Sequence, residues 1–223
     1  IRDEHRYDMF DPQIEYGAPL VPREHTFGVA ERVLADGRVH AGVDQDQLVS
    51  LAAALVEAGV QSVAVCLLNA HANGSHEQVL SGAIRDALPS VFISVSSEVD
   101  PGVREYERTS TVCVNAALGP ILGEYVHKLE MDALEIGVPI PNILLSSGGV
   151  AAPRDVARLP VRALYSGPAA GVIAAEALVG RLGISDALTL DVGGTSADVS
   201  IIHGGRAGFT QERELSGHPV RAP

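Results

Sequence analysis

The residues in this chain with the most chemistry to offer sit on one short stretch. Leu188-Thr189-Leu190-Asp191-Val192 and Ala197-Asp198-Val199-Ser200-Ile201-Ile202 are two β-prone runs around Gly193-Gly194-Thr195-Ser196. Side chains alternate along a strand. Leu188, Leu190 and Val192 therefore share one face and Thr189 and Asp191 the other, while Val199 and Ile201 alternate with Asp198 and Ser200. Paired as a hairpin, the strands bring both carboxylates near the turn on its polar side. Gly193 and Gly194 carry no Cβ, so main-chain N–H groups can approach phosphate oxygens. Thr195 and Ser196 add hydroxyl donors. Asp191 and Asp198 repel an anion by themselves, but they suit a hydrated Mg²⁺ that takes one or two carboxylates together with phosphate oxygens. A plain β-hairpin whose glycines supply positive φ is the competing reading, and Gly-Gly alone does not separate the two. This is not a Walker loop, because no Gly-Lys-Ser/Thr occurs in the chain.

Elements on either side must hold that hairpin. Ser166-Gly167-Pro168-Ala169-Ala170-Gly171 opens a helix, with Pro168 in the first turn and Gly167 or Ser166 as cap. Ala170, Ile173, Ala174, Ala177 and Leu178 form its apolar stripe, and Gly183 ends it. The many Ala and Gly residues predict a helix pressed against a neighbouring backbone. Upstream, the spacing predicts mostly loop to Val21, then a hairpin around Ala35-Asp36-Gly37. A helix capped by Asp44 follows through Leu48, Leu51, Ala52, Leu55 and Val56, closed by Gly59. Ser62 to Leu68 reads as a buried strand, Asn73 opens a helix through Val79, Ile84 and Leu88, and Val91 to Val95 is a second strand. That rhythm argues for a layered α/β domain. A long helical pattern runs from Glu105 to Ile136, with an interruption expected near Gly119-Pro120. A strand from Asn142 to Leu145 leads into Ser146-Ser147-Gly148-Gly149, read either as an anion-binding turn or as a plain strand-to-helix turn. The change of character after Asp100-Pro101-Gly102 places a boundary near residue 103, giving domains 1–103 and 104–223.

The 223 residues carry 28 acidic and 16 basic side chains, a net charge of −12. That balance disfavours nucleic acid and anionic membranes as partners. A nest of backbone N–H groups can still hold a small phosphate compound in an acidic protein. Cys66 and Cys113 both lie in apolar runs, which points to core thiols and a reducing cytosol rather than a disulfide scaffold. No apolar run approaches the ~20 residues that span a bilayer. His71 and His76, with Glu77, hint at a metal, but no third ligand stands nearby. His203 and His218 read as surface residues, and Asp44-Gln45-Asp46 as helix-start chemistry.

These residues resemble a known superfamily. A small-residue helix after Gly-Pro, then Asp-x-Gly-Gly-Thr-x-x-Asp, is similar to half of the phosphate clamp of actin, Hsp70 and sugar kinases. Within that group the chain resembles the A-type subunit of the hydantoinase/oxoprolinase family. The similarity is carried by Arg6–Asp11, Pro19–Arg32, Glu105–Ala116, Leu144–Gly149, Ser166–Gly171 and Asp191–Val199, of which Tyr106-Glu107-Arg108-Thr109-Ser110-Thr111 and the hairpin are the most specific. The resemblance implies an actin-like, ribonuclease H-like α/β fold with mixed sheets flanked by helices. It implies that Gly193, Gly194, Thr195 and Ser196 hold ATP phosphates, and that Asp191 and Asp198 act catalytically through the water shell of Mg²⁺. Arg108 and Asn115 lie on the specific helix, either facing the site or serving as structural contacts.

The expected function is that of a fragment of an ATP-dependent cyclic-amide hydrolase, hydantoinase or 5-oxoprolinase in type, that phosphorylates a substrate oxygen. The alternatives are an ATP-dependent ketone carboxylase subunit and a non-catalytic nucleotide-binding module. A B-type subunit is the implied partner, alongside a cyclic amide or ketone. The chain is expected to be a piece of something longer, holding about half a clamp and inactive as an ATPase alone. A first glycine-rich phosphate hairpin and an adenosine region are expected outside it. Asn73-Gly74-Ser75 stands where the family has Asn-Pro, with Gly74 expected to serve the same turn.

Overall fold

A computed structural model describes residue 13, residues 18–194, 197–208, 210, 212–215 and 217–221. Thr195 and Ser196, and the stretch Arg6–Asp11, lie outside the described residues. The chain divides into two compact units, residues 1–120 with 214–221, and residues 121–213 with 222–223.

In the first unit, β1 (Arg32–Val33) and β2 (Val39–Ala41) form the expected hairpin, with Gly37 at φ +83° in its turn. α1 (Gln45–Glu57) starts where the Asp44 carboxylate accepts the Asp46 N–H at 3.0 Å, and Gly59 follows its end at φ +60°. β3 (Ser62–Val65), α2 (Ser75–Ala87) and β4 (Phe92–Val95) make a parallel strand-helix-strand unit, Ser62 pairing with Phe92 and Val65 with Val95. Leu48 and Leu55 of α1 meet Val65, Leu80 and Ile84 in the core. The phase of α2 differs from expectation. Val79 is exposed, while His76, Glu77, Leu80, Ser81 and Ile84 are covered. Gly74 does not supply a positive φ; it sits at φ −83°, where a Cβ would lie 2.6 Å from Ser97 Oγ.

A short α3 (Ser96–Val99) precedes α4 (Glu105–Glu135), within which the two units divide. The interruption expected at Gly119-Pro120 does not occur. Pro120 forfeits one N–H bond, yet the Phe92 ring occupies the place that a Cβ on Gly119 would take, so the helix packs closely on β4 there.

In the second unit, β5 (Ile143–Leu144) and β6 (Val150–Ala151) pair as a hairpin. Ser146–Gly149 therefore lies in its turn, which is not a strand-to-helix turn. Ser146 Oγ accepts the Tyr165 N–H at 2.9 Å, and the Ser146 N–H donates to Arg162 O at 2.8 Å. After α5 (Pro153–Arg158) comes α6 (Ser166–Leu182), capped by Tyr165 rather than Gly167 or Ser166, and ended by Gly183 at φ +68°. α6 packs on a three-stranded antiparallel sheet of β7 (Ala187–Val192), β8 (Ala197–His203) and β9 (Arg206–Ala207). Its covered side runs through Val172, Ile173, Ala175, Glu176 and Val179. Ala170, Ala174, Ala177 and Leu178 of the expected stripe are exposed. Nor is the helix pressed on backbone through its glycines, since a Cβ at Gly167, Gly171 or Gly180 would meet nothing within 4 Å. β10 (Glu212–Leu215) and β11 (His218–Arg221) pair near the chain end.

Candidate functional site

The register of β7 and β8 sets the site. Asp191 stands directly opposite Asp198, and Thr189 opposite Ser200. Opposed residues project to one face, so both carboxylates point the same way. The other face carries Leu188, Leu190, Val192, Val199 and Ile201, each at least 64 % exposed and uncovered by described residues. The polar face turns towards α6, where Ile202 is buried beside it. A cleft of about 220 Å³ opens between the two. Pro168, Gly171 and Val172 form one wall, and Thr189, Asp191, Asp198 and Ser200 the other.

Size limits what this cleft can take. It lies below the roughly 300–1,000 Å³ of a pocket that swallows a whole drug-sized ligand. At about 30 Å³ per water it suits a small hydrated group. The wall contributed by α6 is the first turns of a 17-residue helix, whose N-terminus carries positive partial charge. That turn has no acidic residue and no side-chain cap, so its charge and free N–H groups are not already spent. At the rim, Gly193 and Gly194 are exposed. Gly194 is not in the left-handed region, and a Cβ there would meet nothing within 4 Å. Neither conformation nor packing among the described residues demands glycine at 194. The open backbone there leaves room for a ligand to come close.

Mg²⁺ takes oxygen donors, which Asp191 and Asp198 can supply. Among the described residues no group of three or more His, Cys, Asp or Glu side chains could cage an ion. Two opposed carboxylates, free of protein partners among the described residues, instead match an ion that keeps most of its water. The residues fit.

Other sequence candidates have structural employment. Arg108 is fully buried and donates to Leu67 O at 2.7 Å, Gly102 O at 3.1 Å and His71 Nδ1 at 3.2 Å. Asn115 donates to Ser94 Oγ at 2.9 Å. His76 pairs with Glu31 at 2.6 Å in a largely buried position. His71 and His76 thus have different partners and form no metal site among the described residues. His203 is exposed and pairs with Asp186 at 2.6 Å; the Ser185 hydroxyl first, then His203, lower the Asp186 carboxyl below its usual range. Sequence reasoning missed Gly171, Val172, Thr189 and Ser200 as cleft residues. The alternation that put Thr189 and Ser200 on the face of the acids was the available signal.

Residues 108–223 match the hydantoinase/oxoprolinase family, and residues 1–88 match the hydantoinase/oxoprolinase N-terminal region. The chain belongs to the hydantoinase/oxoprolinase family. Among its relatives, the caprolactamase alpha subunit of Pseudomonas jessenii is 35% identical over 99% of this chain and 32% of its own length. The 5-oxoprolinase of Saccharomyces cerevisiae is 25% identical over 83% of this chain and 14% of its own. Two solved structures share the fold. ATP-dependent caprolactamase from P. jessenii matches with a TM-score of 0.78 at 33% identity, over 99% of this chain and 32% of that one. Nucleotide-free acetone carboxylase matches with a TM-score of 0.83 at 25% identity, over 94% and 30%. The chain therefore spans about a third of the length of the caprolactamase and the acetone carboxylase and 14% of the 5-oxoprolinase. The actin-like α/β expectation agrees with this kinship.

Proposed function

We propose that this chain is part of an ATP-dependent enzyme that hydrolyses a cyclic amide, hydantoinase or 5-oxoprolinase in type, and that its hairpin holds the phosphates of Mg-ATP. The observation that carries the reading is the opposed pair Asp191 and Asp198, open to a cleft beside the start of α6. Main-chain groups at Gly193 and Gly194, with Thr195 and Ser196, donate to phosphate oxygens. Asp191 and Asp198 accept hydrogen bonds from the waters of the cation and fix its place. Bound Mg-ATP supplies the phosphoryl group that turns an amide oxygen into a good leaving group. Fixed dipoles around that group favour its charge without reorganising. Kinship with a caprolactamase and with 5-oxoprolinases supports a cyclic amide as substrate.

Relatives described as alpha, beta and gamma subunits support a second, B-type subunit as partner. Cytoplasmic placement is supported by the two cysteines without a disulfide; among the described residues no helix is long and apolar enough to cross a membrane. A domain boundary near residue 103 is supported by the gap between the two family matches, 1–88 and 108–223.

The likeness to acetone carboxylase favours one second reading, ATP-dependent carboxylation of a ketone. The full-length protein with its partner subunit should cleave ATP when given hydantoin, 5-oxoproline or caprolactam, with no need for bicarbonate. Cleavage that requires a ketone and bicarbonate would replace the hydrolase by the carboxylase. Silence with every such substrate in a folded complex would remove both.

A further inference from the structure

We propose that Thr189 and Ser200 form a second polar rung that positions the hydration shell of the cation; the inference rests on the Mg-ATP reading above. Thr189 and Ser200 are directly opposed, two residues along each strand from Asp191 and Asp198 and on the same face. All four side chains line the same cleft. Both hydroxyl residues are half-buried, and among the described residues neither hydroxyl has a protein hydrogen-bond partner. Opposite them stands Gly171, where a Cβ would meet only open space. Among the described residues nothing fills the volume in front of this rung.

Distances decide whether one ion can use both rungs. Two residues along a strand cover about 7 Å, so a metal midway lies about 3.5 Å along the strand from each rung. Mg²⁺ binds water at about 2.1 Å, and that water reaches an acceptor oxygen about 2.8 Å further on. A reach of about 5 Å through water takes in both rungs at once. A Mg²⁺ that also binds two phosphate oxygens keeps about four waters; their outward hydrogens point to several sides, and the hydroxyl oxygens, with two lone pairs each, accept those that the carboxylates do not reach. On this account the carboxylates supply charge and the hydroxyls supply direction. Thr189 and Ser200 are positioning residues that act through water.

The test uses the full-length protein with Mn²⁺ in place of Mg²⁺, free Mn²⁺ being followed by electron paramagnetic resonance in the presence of a non-hydrolysable ATP analogue. Analogue binding in EDTA is measured in parallel. Thr189→Val with Ser200→Ala should weaken Mn²⁺ binding roughly 5- to 30-fold, the size of two lost hydrogen bonds, and leave metal-free analogue binding unchanged. The swap Thr189→Ser with Ser200→Thr should keep Mn²⁺ affinity. Asp191→Asn with Asp198→Asn is the control and should weaken Mn²⁺ binding more. Unchanged Mn²⁺ affinity in the hydroxyl-less variant, with the control weakened, overturns the rung and leaves the nucleotide reading standing. Equal loss of metal-dependent and metal-free binding overturns the positioning role in favour of a structural one. An unaffected control overturns both readings. Should the double variant fail to fold, Ser200→Ala alone, with Ser200→Thr as its rescue, carries the same comparison.

Discussion

Glu77 in the first unit and Asp191 and Asp198 in the second are carboxylates on regular elements, but their surroundings are opposite. Glu77 is fully buried and accepts three hydrogen bonds, from Leu67 N at 2.8 Å, Ser96 Oγ at 2.6 Å and Ser97 N at 2.9 Å. Arg108, equally buried, ties the Leu67 and Gly102 carbonyls to α4. Nearby, Arg221 donates to Val103 O at 2.7 Å and Asp100 Oδ2 at 3.3 Å. Apart from Arg108 Nε, which is buried without a hydrogen-bond partner among the described residues, the charged groups named here are paired by the protein, as burial requires. Asp191 and Asp198 are exposed, opposed to each other, and answered by no described residue. Folding does not need two like charges side by side. The cation proposed above would give both of them a use.

The largest effect that can break this contrast is Glu77→Ala. It leaves buried donors without an acceptor and should cost about 3 kcal/mol or more, read as a fall in the denaturation midpoint or as loss of folded protein. A cost under about 0.5 kcal/mol would mean that these bonds are idle. Asp191→Asn with Asp198→Asn should behave oppositely, holding stability within about 0.5 kcal/mol of the parent or raising it by easing repulsion. A large loss would give these acids a structural role and collapse the comparison.

Thiol chemistry sharpens it further. Burial first, and then neighbouring Cys66, push the Cys113 thiol up to about 11. A raised value keeps the thiol neutral and unreactive at neutral pH. Cys113 alkylation should be negligible at pH 8 and rise about tenfold per pH unit towards pH 11, followed by mass spectrometry. Rapid labelling at pH 7 would show the first unit to be open. The smallest effect is expected at Gly171. An added methyl meets open space, so Gly171→Ala should stabilise α6 by up to about 1 kcal/mol, seen as a higher melting temperature. Gly171→Leu should instead fill the cleft and weaken nucleotide binding.

Much of this was legible from residue types alone. Alternation in 188–202 gave the shared face of the acids, and the observed register puts Asp191 against Asp198. Asp44 and Gly59 marked α1, and the apolar runs around α2 gave the parallel strand pair. What failed did so for physical reasons. A helix turns about 100° per residue, so a stripe read one position out selects the wrong face, as with Val79 and Leu178. The phase of α2 is set by Glu77, whose carboxylate must reach the start of α3. Reasoning that sends charges outward cannot find it. Pro120 reads as a break because its contact with the rest of the fold, through Gly119 and Phe92, is long-range. Thr195 and Ser196 lie outside the described residues, and their role as phosphate donors is a proposal on sequence grounds.

On the proposed reading, the cleft between α6 and the β7–β8 hairpin holds a phosphate-bound cation through Asp191 and Asp198. Calorimetric titration of ATP into the full-length protein tests it most directly, with Mg²⁺ or with EDTA, for the parent and for Asp191→Asn with Asp198→Asn. Binding should be tight with Mg²⁺ and at least tenfold weaker in EDTA, and that difference should be lost in the variant. Identical Mg²⁺ dependence in parent and variant would contradict it.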